Sequence, residues 1–149
     1  MAPAGPGAAV SSGHRRLTDR FSDLALSADG DRFAFTARGD VYAATTKDTG
    51  DAVRITNTNA RESQVTWSPD SRTVVYVSDR DGPTHLYQYD FASEKEKQLT
   101  TGDGNDDTPR FSPDGKSIAF QRNTHDLMVL DVAAAQARSL ATARFDRPP

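Results

Sequence analysis

Cysteine is absent from the 149 residues. No disulfide, thiol nucleophile or thiolate metal site is therefore available, and the lack suits a reducing, cytoplasmic compartment. Histidine is scarce, with only His14, His85 and His125. A metal site wants two or more converging ligands, often one turn apart on a helix. His85 and His125 fall in separate repeats, and both are expected to be solvent-exposed loop residues. No stretch approaches the roughly 20 apolar residues of a membrane span. A basic stripe is missing too. With a net charge of −3, and with Arg15-Arg16 too short a cluster, the chain is not expected to bind nucleic acid. The N-terminus lacks the basic start and the apolar run of roughly 7–15 residues that an export signal needs. Residues 1–13, MAPAGPGAAVSSG, are small, uncharged and rich in Pro and Gly, and are expected to be a disordered tail.

The usual signatures of chemistry are also missing. No G-x-S-x-G elbow is present to raise a serine nucleophile. Ser27, Ser68 and Ser112 recur once per repeat, so their hydroxyls are expected to cap turns. Asp103-Gly104-Asn105-Asp106-Asp107 resembles a calcium loop on the surface, but Thr108 and Asp114 stand where an EF-hand needs Gly and Glu. It is expected to be a solvated acidic loop. Asp79-Arg80-Asp81-Gly82 reads as a hairpin with a local ion pair. No catalytic, cofactor-binding or metal-binding residue is assigned, and no cofactor is expected.

What is present is a repeat. Ser27, Ser68 and Ser112 stand 41 and 44 residues apart, within LALSADGDRFAF, VTWSPDSRTVVY and PRFSPDGKSIAF. Downstream, Leu86 to Asp90 aligns with Leu127 to Asp131, and Lys97-Gln98-Leu99 with Arg138-Ser139-Leu140, both at an offset of 41. The three extra residues fall in the loop after the second strand, where insertion is tolerated. Four strands per unit of about 40–45 residues is the pattern of a β-propeller. Val65 to Thr100 reads as one whole blade. A hydrophobic content of 36% suits short strands joined by polar turns.

Turn chemistry agrees. Pro presets the first turn position, Asp favours the next, and Gly takes the left-handed residue that follows. Pro113-Asp114-Gly115 fits fully. The first copy has Ala28 in place of Pro. The second has Ser71 in place of Gly, at a cost of roughly 1 kcal/mol. Phe33 and Phe35 alternate with Arg32, Ala34 and Thr36, the pattern of a half-buried strand. Leu26, Trp67 and Phe111 share one repeat position, just before the turn serine, and are expected to pack between blades. Val132 to Ala143 is helix-prone by composition, but the alignment makes it a turn and a fourth strand, which is preferred.

The expected fold is all-β: a partial β-propeller of about three four-stranded antiparallel blades plus one N-terminal outer strand. Residues 14–20 form that strand, since Arg16-Leu17-Thr18 matches Arg54-Ile55-Thr56 and Gln98-Leu99-Thr100. Blades follow at 21–58, 59–102 and 103–143. Residues 144–149 start a further blade or form a tail. Propellers close with about four to eight blades, and open strand edges invite association. The expected partners are therefore the remaining blades of a longer chain, or a second copy.

W-S-P-D-S, F-S-P-D-G, S-D-R-D-G, L-Y-Q-Y-D, K-Q-L-T and V-R-I-T resemble the propeller repeats shared by TolB and the tricorn proteases. The stretches from Asp19 to Ser27 and from Phe33 to Tyr42 are similar to a propeller opening in bacterial tricorn-like proteins. That resemblance implies a non-catalytic propeller that guides peptides toward a separate serine-protease module, in the cytoplasm. The alternatives are a TolB-like protein-interaction module, which would work in the periplasm, and a propeller attached to an amidohydrolase or oligopeptidase. The implied partner is a peptide or protein.

Overall fold

The computed structural model describes residues 21–47 and 52–142. The expected tail at 1–13, outer strand at 14–20 and further blade at 144–149 lie outside the described residues. Within them the chain forms twelve strands and no helix. The first sheet contains β1 (Phe21–Leu26), β2 (Arg32–Ala37), β3 (Asp40–Thr45) and β4 (Val53–Arg54). The second contains β5 (Glu62–Trp67), β6 (Thr73–Ser78), β7 (His85–Asp90) and β8 (Lys95–Gln98). The third contains β9 (Asp106–Phe111), β10 (Ser117–Arg122), β11 (Asp126–Asp131) and β12 (Gln136–Thr142). Each sheet is a meander in chain order, antiparallel throughout. Gln136–Thr142 is a strand despite its alanines, because pairing with β11 outweighs local propensity.

The sheets stack face to face with their first strands adjacent. β5 packs against β1, β2 and β3, and β9 against β5, β6 and β7. Two apolar layers result. Ala34, Val41 and Ala43 of the first sheet meet Val65, Trp67, Val74, Tyr76 and Tyr87 of the second. Val75, Val77 and Leu86 of the second meet Ile118, Phe120, Met128 and Leu130 of the third. The middle sheet is thus covered on both sides. That explains why β6 is buried along its whole length and reads as a β-branched and aromatic run, with no polar alternation. In the first sheet the residues facing the second are small, which leaves room for Trp67. Phe33 and Phe35 lie on the other face, where Phe35 stacks on both Phe33 and Tyr42.

The position before the turn serine behaves as a packing site in two copies. Trp67 is 7% exposed and its Nε1 donates to Ala25 O of the first sheet (3.0 Å). Phe111 packs against the layer between the second and third sheets. Leu26 departs from the expectation and is 63% exposed: it pairs with Phe33, on the face of the first sheet turned away from the second.

The three turns share one hydrogen-bond scheme. Ser27, Ser68 and Ser112 Oγ donate to Asp29, Asp70 and Asp114 Oδ1 (2.7, 2.6 and 2.6 Å), and accept from Arg32, Thr73 and Ser117 N (3.1 Å each). The same carboxylate oxygens accept from Asp31, Arg72 and Lys116 N. Ser71 is left-handed (φ 63°), and its Oγ accepts from Asp29 N (3.0 Å) across the sheet boundary. Ser71→Gly relieves about 1 kcal/mol of strain and loses a hydrogen bond of similar worth, so its urea midpoint stays close to wild type. Ser71→Ala keeps the strain and loses the bond, and falls by about 1 kcal/mol.

These bonds also set an acid response. Asp29 is held below the ordinary aspartate value of 3.8 chiefly by the Asp31 N–H, and Asp70 and Asp114 chiefly by their serine hydroxyls. Groups with depressed values stabilise the fold above the unfolded-state value, and that contribution is lost as pH falls through the folded-state value. The urea midpoint should therefore drop as pH falls below about 4. Ser68→Ala, measured over the same range, should flatten part of that drop.

Candidate functional site

Two classes of connection gather on one face of the stack: the hairpins between second and third strands, and the links between sheets. Each link is pinned in the same way. Arg61 exchanges two hydrogen bonds with Asp79, whose side-chain Oδ1 accepts from Arg61 N (2.9 Å) and whose N donates to Arg61 O (3.3 Å). Asn105 does the same with Asn123 (2.9 and 2.8 Å). The next residue then bonds the preceding sheet's hairpin: Glu62 N to Gly39 O (2.7 Å), and Asp106 N to Thr84 O (2.8 Å).

Both of those residues are buried acids at the start of a first strand. Glu62 accepts from Ser78 Oγ (2.5 Å) and Thr58 Oγ1 (3.1 Å), and lies 3.6 Å from Arg80 Nη2. Arg80 also forks onto Glu96 (2.7 and 2.9 Å) and covers the Tyr87 ring at 4.0 Å. Glu96 accepts from the Tyr76 hydroxyl. Burial pushes the Glu96 carboxyl up, but the bonds from Arg80 and Tyr76 outweigh it and the group sits below its ordinary value. Burial, reinforced by Glu96, pushes the Tyr76 hydroxyl far up, so it stays a donor. Asp106 pairs with Arg122 (2.7 Å). In the first sheet Asp40 binds Arg54 (2.5 Å) and accepts from Thr56 Oγ1 (3.1 Å).

Three sequence expectations are corrected here. His85 is 3% exposed at the start of β7, with Nε2 2.9 Å from Gly102 O, because the link after β8 folds over it. His125 is exposed as expected, 3.3 Å from Asp126, and His14 lies outside the described residues. Asp106 belongs to no solvated loop: it is fully buried on Arg122, sixteen residues on. Arg80 pairs with Glu62 and Glu96 and not with its neighbouring aspartates, while Asp81 accepts from the Tyr87 hydroxyl and Gln98. One signal for the buried acids was present, since Glu62 and Asp106 align at the 44-residue offset. A further device had none: Asp23, Gln64 and Thr108 are left-handed (φ 55°, 58° and 57°) at bulges in the three first strands.

Between the first and second sheets this face opens into a cleft of about 750 Å³, lined among others by Asp23, Thr36, Arg38, Gly39, Arg61 and Glu62. The Thr36 hydroxyl donates to Asp23 Oδ2 (3.1 Å). Gly39 is left-handed (φ 84°), a conformation that strains any side chain, and a Cβ there would touch Ala60 O at 3.4 Å. Among the described residues no three His, Asp or Glu side chains converge as a metal site. No helix among them is long and apolar enough to cross a membrane.

Stacked four-stranded meanders with adjacent first strands, each closed by the same Ser–Asp turn, define a segment of β-propeller. The chain belongs to the TolB beta propeller domain family, whose profile matches residues 11–149. It is 32% identical over 102 residues to the uncharacterized protein Atu1656 of Agrobacterium fabrum, covering 66% of this chain and 35% of that protein. It is 43% identical over 51 residues to the protein TolB homolog of Protochlamydia amoebophila, covering 34% of this chain and 11% of that one. The chain thus spans about a third or less of these relatives. Among solved structures, the putative TolB of Agrobacterium tumefaciens superposes with a TM-score of 0.69 at 21% identity, covering 80% of this chain and 48% of that one. The tricorn protease gives 0.61 at 17%, covering 74% and 13%. At these identities the likeness is one of fold.

Proposed function

We propose that the chain is a non-catalytic recognition module, the propeller part of a tricorn-like serine peptidase, which receives peptide segments on the face that carries the cleft. The observation that carries this reading is a division of labour among polar side chains. The repeated serines donate to their own turn aspartates, and Asp40, Glu62 and Asp106 are bound to arginines or hydroxyls of the sheets. Polar side chains of this kind hold the fold, while the cleft between the first two sheets stays open. The polar groups that line it can orient and discriminate a bound chain. The resemblance of the repeat motifs to tricorn-like proteins supports the peptidase context, and the tricorn protease shares the fold. A TolB-like docking module for a folded partner, with a periplasmic setting, is the second reading, favoured by the 43% identity to a TolB homolog.

Fluorescence anisotropy with fluorescein-labelled extended peptides distinguishes them. Saturable binding, with the peptide recovered intact after overnight incubation, is the expected result. Hydrolysis by the purified chain defeats the non-catalytic assignment. Absence of binding defeats peptide recognition and leaves the docking reading.

A further inference from the structure

We infer that the cleft between the first two sheets selects peptides carrying acidic side chains, through Arg38 and Arg61. This rests on the peptide-recognition reading above and names its ligand chemistry. The two boundaries between sheets are built alike, and their difference is informative. At the second boundary Asn105 Oδ1 accepts from Thr84 N (3.0 Å), so the link's side chain closes onto the preceding hairpin. Arg61 holds the matching place at the first boundary, with the same two hydrogen bonds to its own sheet. Its guanidinium makes no such closure, and the cleft opens there. Arg38 sits beside it on the β2–β3 hairpin. The backbones touch at this point, for Glu62 N donates to Gly39 O and a Cβ on Gly39 would lie 3.6 Å from Arg61 Cα.

Arg54, Arg80 and Arg122 are each bound to a carboxylate. Arg38 and Arg61 are exposed and carry no ion pair among the described residues, although both line the cleft. Of the carboxylates lining it, Glu62 is already bound by Ser78, Thr58 and Arg80, and Asp23 accepts from Thr36. Two guanidiniums on adjoining backbone, each a planar fork of donors, suit carboxylate oxygens. Asp23 lines the same cleft, so the ligand's negative charge belongs on the arginine side. Side chains of a peptide passing across the face place it there.

The test uses the 149-residue chain and three fluorescein-labelled peptides of one length: glutamate-bearing and C-terminally amidated, its glutamine counterpart also amidated, and the glutamine peptide with a free C-terminal carboxylate. The glutamate peptide should bind about tenfold more tightly than either glutamine peptide. Arg38→Gln and Arg61→Gln should each remove most of that advantage, and added salt should weaken it. Arg72→Gln, an exposed arginine beside a turn on the opposite face, should leave it intact. Equal affinity for the glutamate and glutamine amides overturns acidic selection while peptide recognition survives. Binding of none of them overturns both. A free-terminus glutamine peptide that matches the glutamate amide assigns the site to chain termini and overturns the side-chain assignment. An equal loss in Arg72→Gln shows diffuse charge attraction and overturns the site.

Discussion

Trp67→Ala lowers the free energy of unfolding by about 3–5 kcal/mol, the loss typical of a large aromatic removed from a core. Trp67 is the bulkiest residue in the layer between the first two sheets, and it faces the small residues Ala34 and Ala43. Its ring stacks on Phe91 at 5.1 Å between centroids, with the Arg32 guanidinium over both rings. Its Nε1 donates to Ala25 O. Nothing small can refill that volume from neighbouring alanines, so the cavity persists. Trp67→Phe keeps much of the stacking and loses the bond to Ala25, and should cost about 1–2 kcal/mol. Urea unfolding followed by far-ultraviolet circular dichroism measures both, since this is the only tryptophan in the chain. A loss below about 1 kcal/mol for the alanine variant would show that the two sheets do not rely on this contact.

Arg80→Met should cost about 3–5 kcal/mol at neutral pH, because it strips the cation from a buried carboxylate. Glu62 keeps Ser78 and Thr58 as donors, but its charge and that of Glu96 are left uncompensated. Lost packing over Tyr87 adds to the deficit. The pH dependence identifies the cause. Without Arg80 the Glu96 carboxyl loses the cation that helps hold it below its ordinary value, so the penalty belongs to its ionised form. It should therefore shrink as pH falls toward the carboxylate range. Glu62→Gln in the same background should recover part of the loss at neutral pH. A deficit independent of pH would instead mean that packing dominates.

The repeat was legible because its signals are local. Pro-Asp-Gly chemistry, β-branched runs and constant offsets located the Ser27, Ser68 and Ser112 turns and chose strand over helix for Gln136–Thr142. The candidate site was not legible, because its features join residues that are close only after pairing. Arg80 stands between the hairpin's own aspartates, Asp79 and Asp81, in sequence, yet antiparallel pairing of Glu62 with Ser78 carries it to the buried acids. His85 opens a strand, and only the link packed over it buries the ring. Leu26 shows the reverse. Its repeat position predicts burial, but it stands on the face of the first sheet turned away from the second and stays exposed. The left-handed Asp23, Gln64 and Thr108 have no glycine to announce them. At the last two, a bond from Thr108 N to Gln64 Oε1 (2.6 Å) joins adjacent sheets.

Nuclear magnetic resonance mapping of the ¹⁵N-labelled chain, titrated with the glutamate-bearing amidated peptide, tests the central claim most directly. Peptide recognition at the cleft predicts that the amide signals of Gly39, Arg61 and Ser63 shift progressively and saturate, while those of Asp70 and Gly115, in the turns on the opposite face, stay in place. Shifts confined to the turns, or no shifts at saturating peptide, would contradict it.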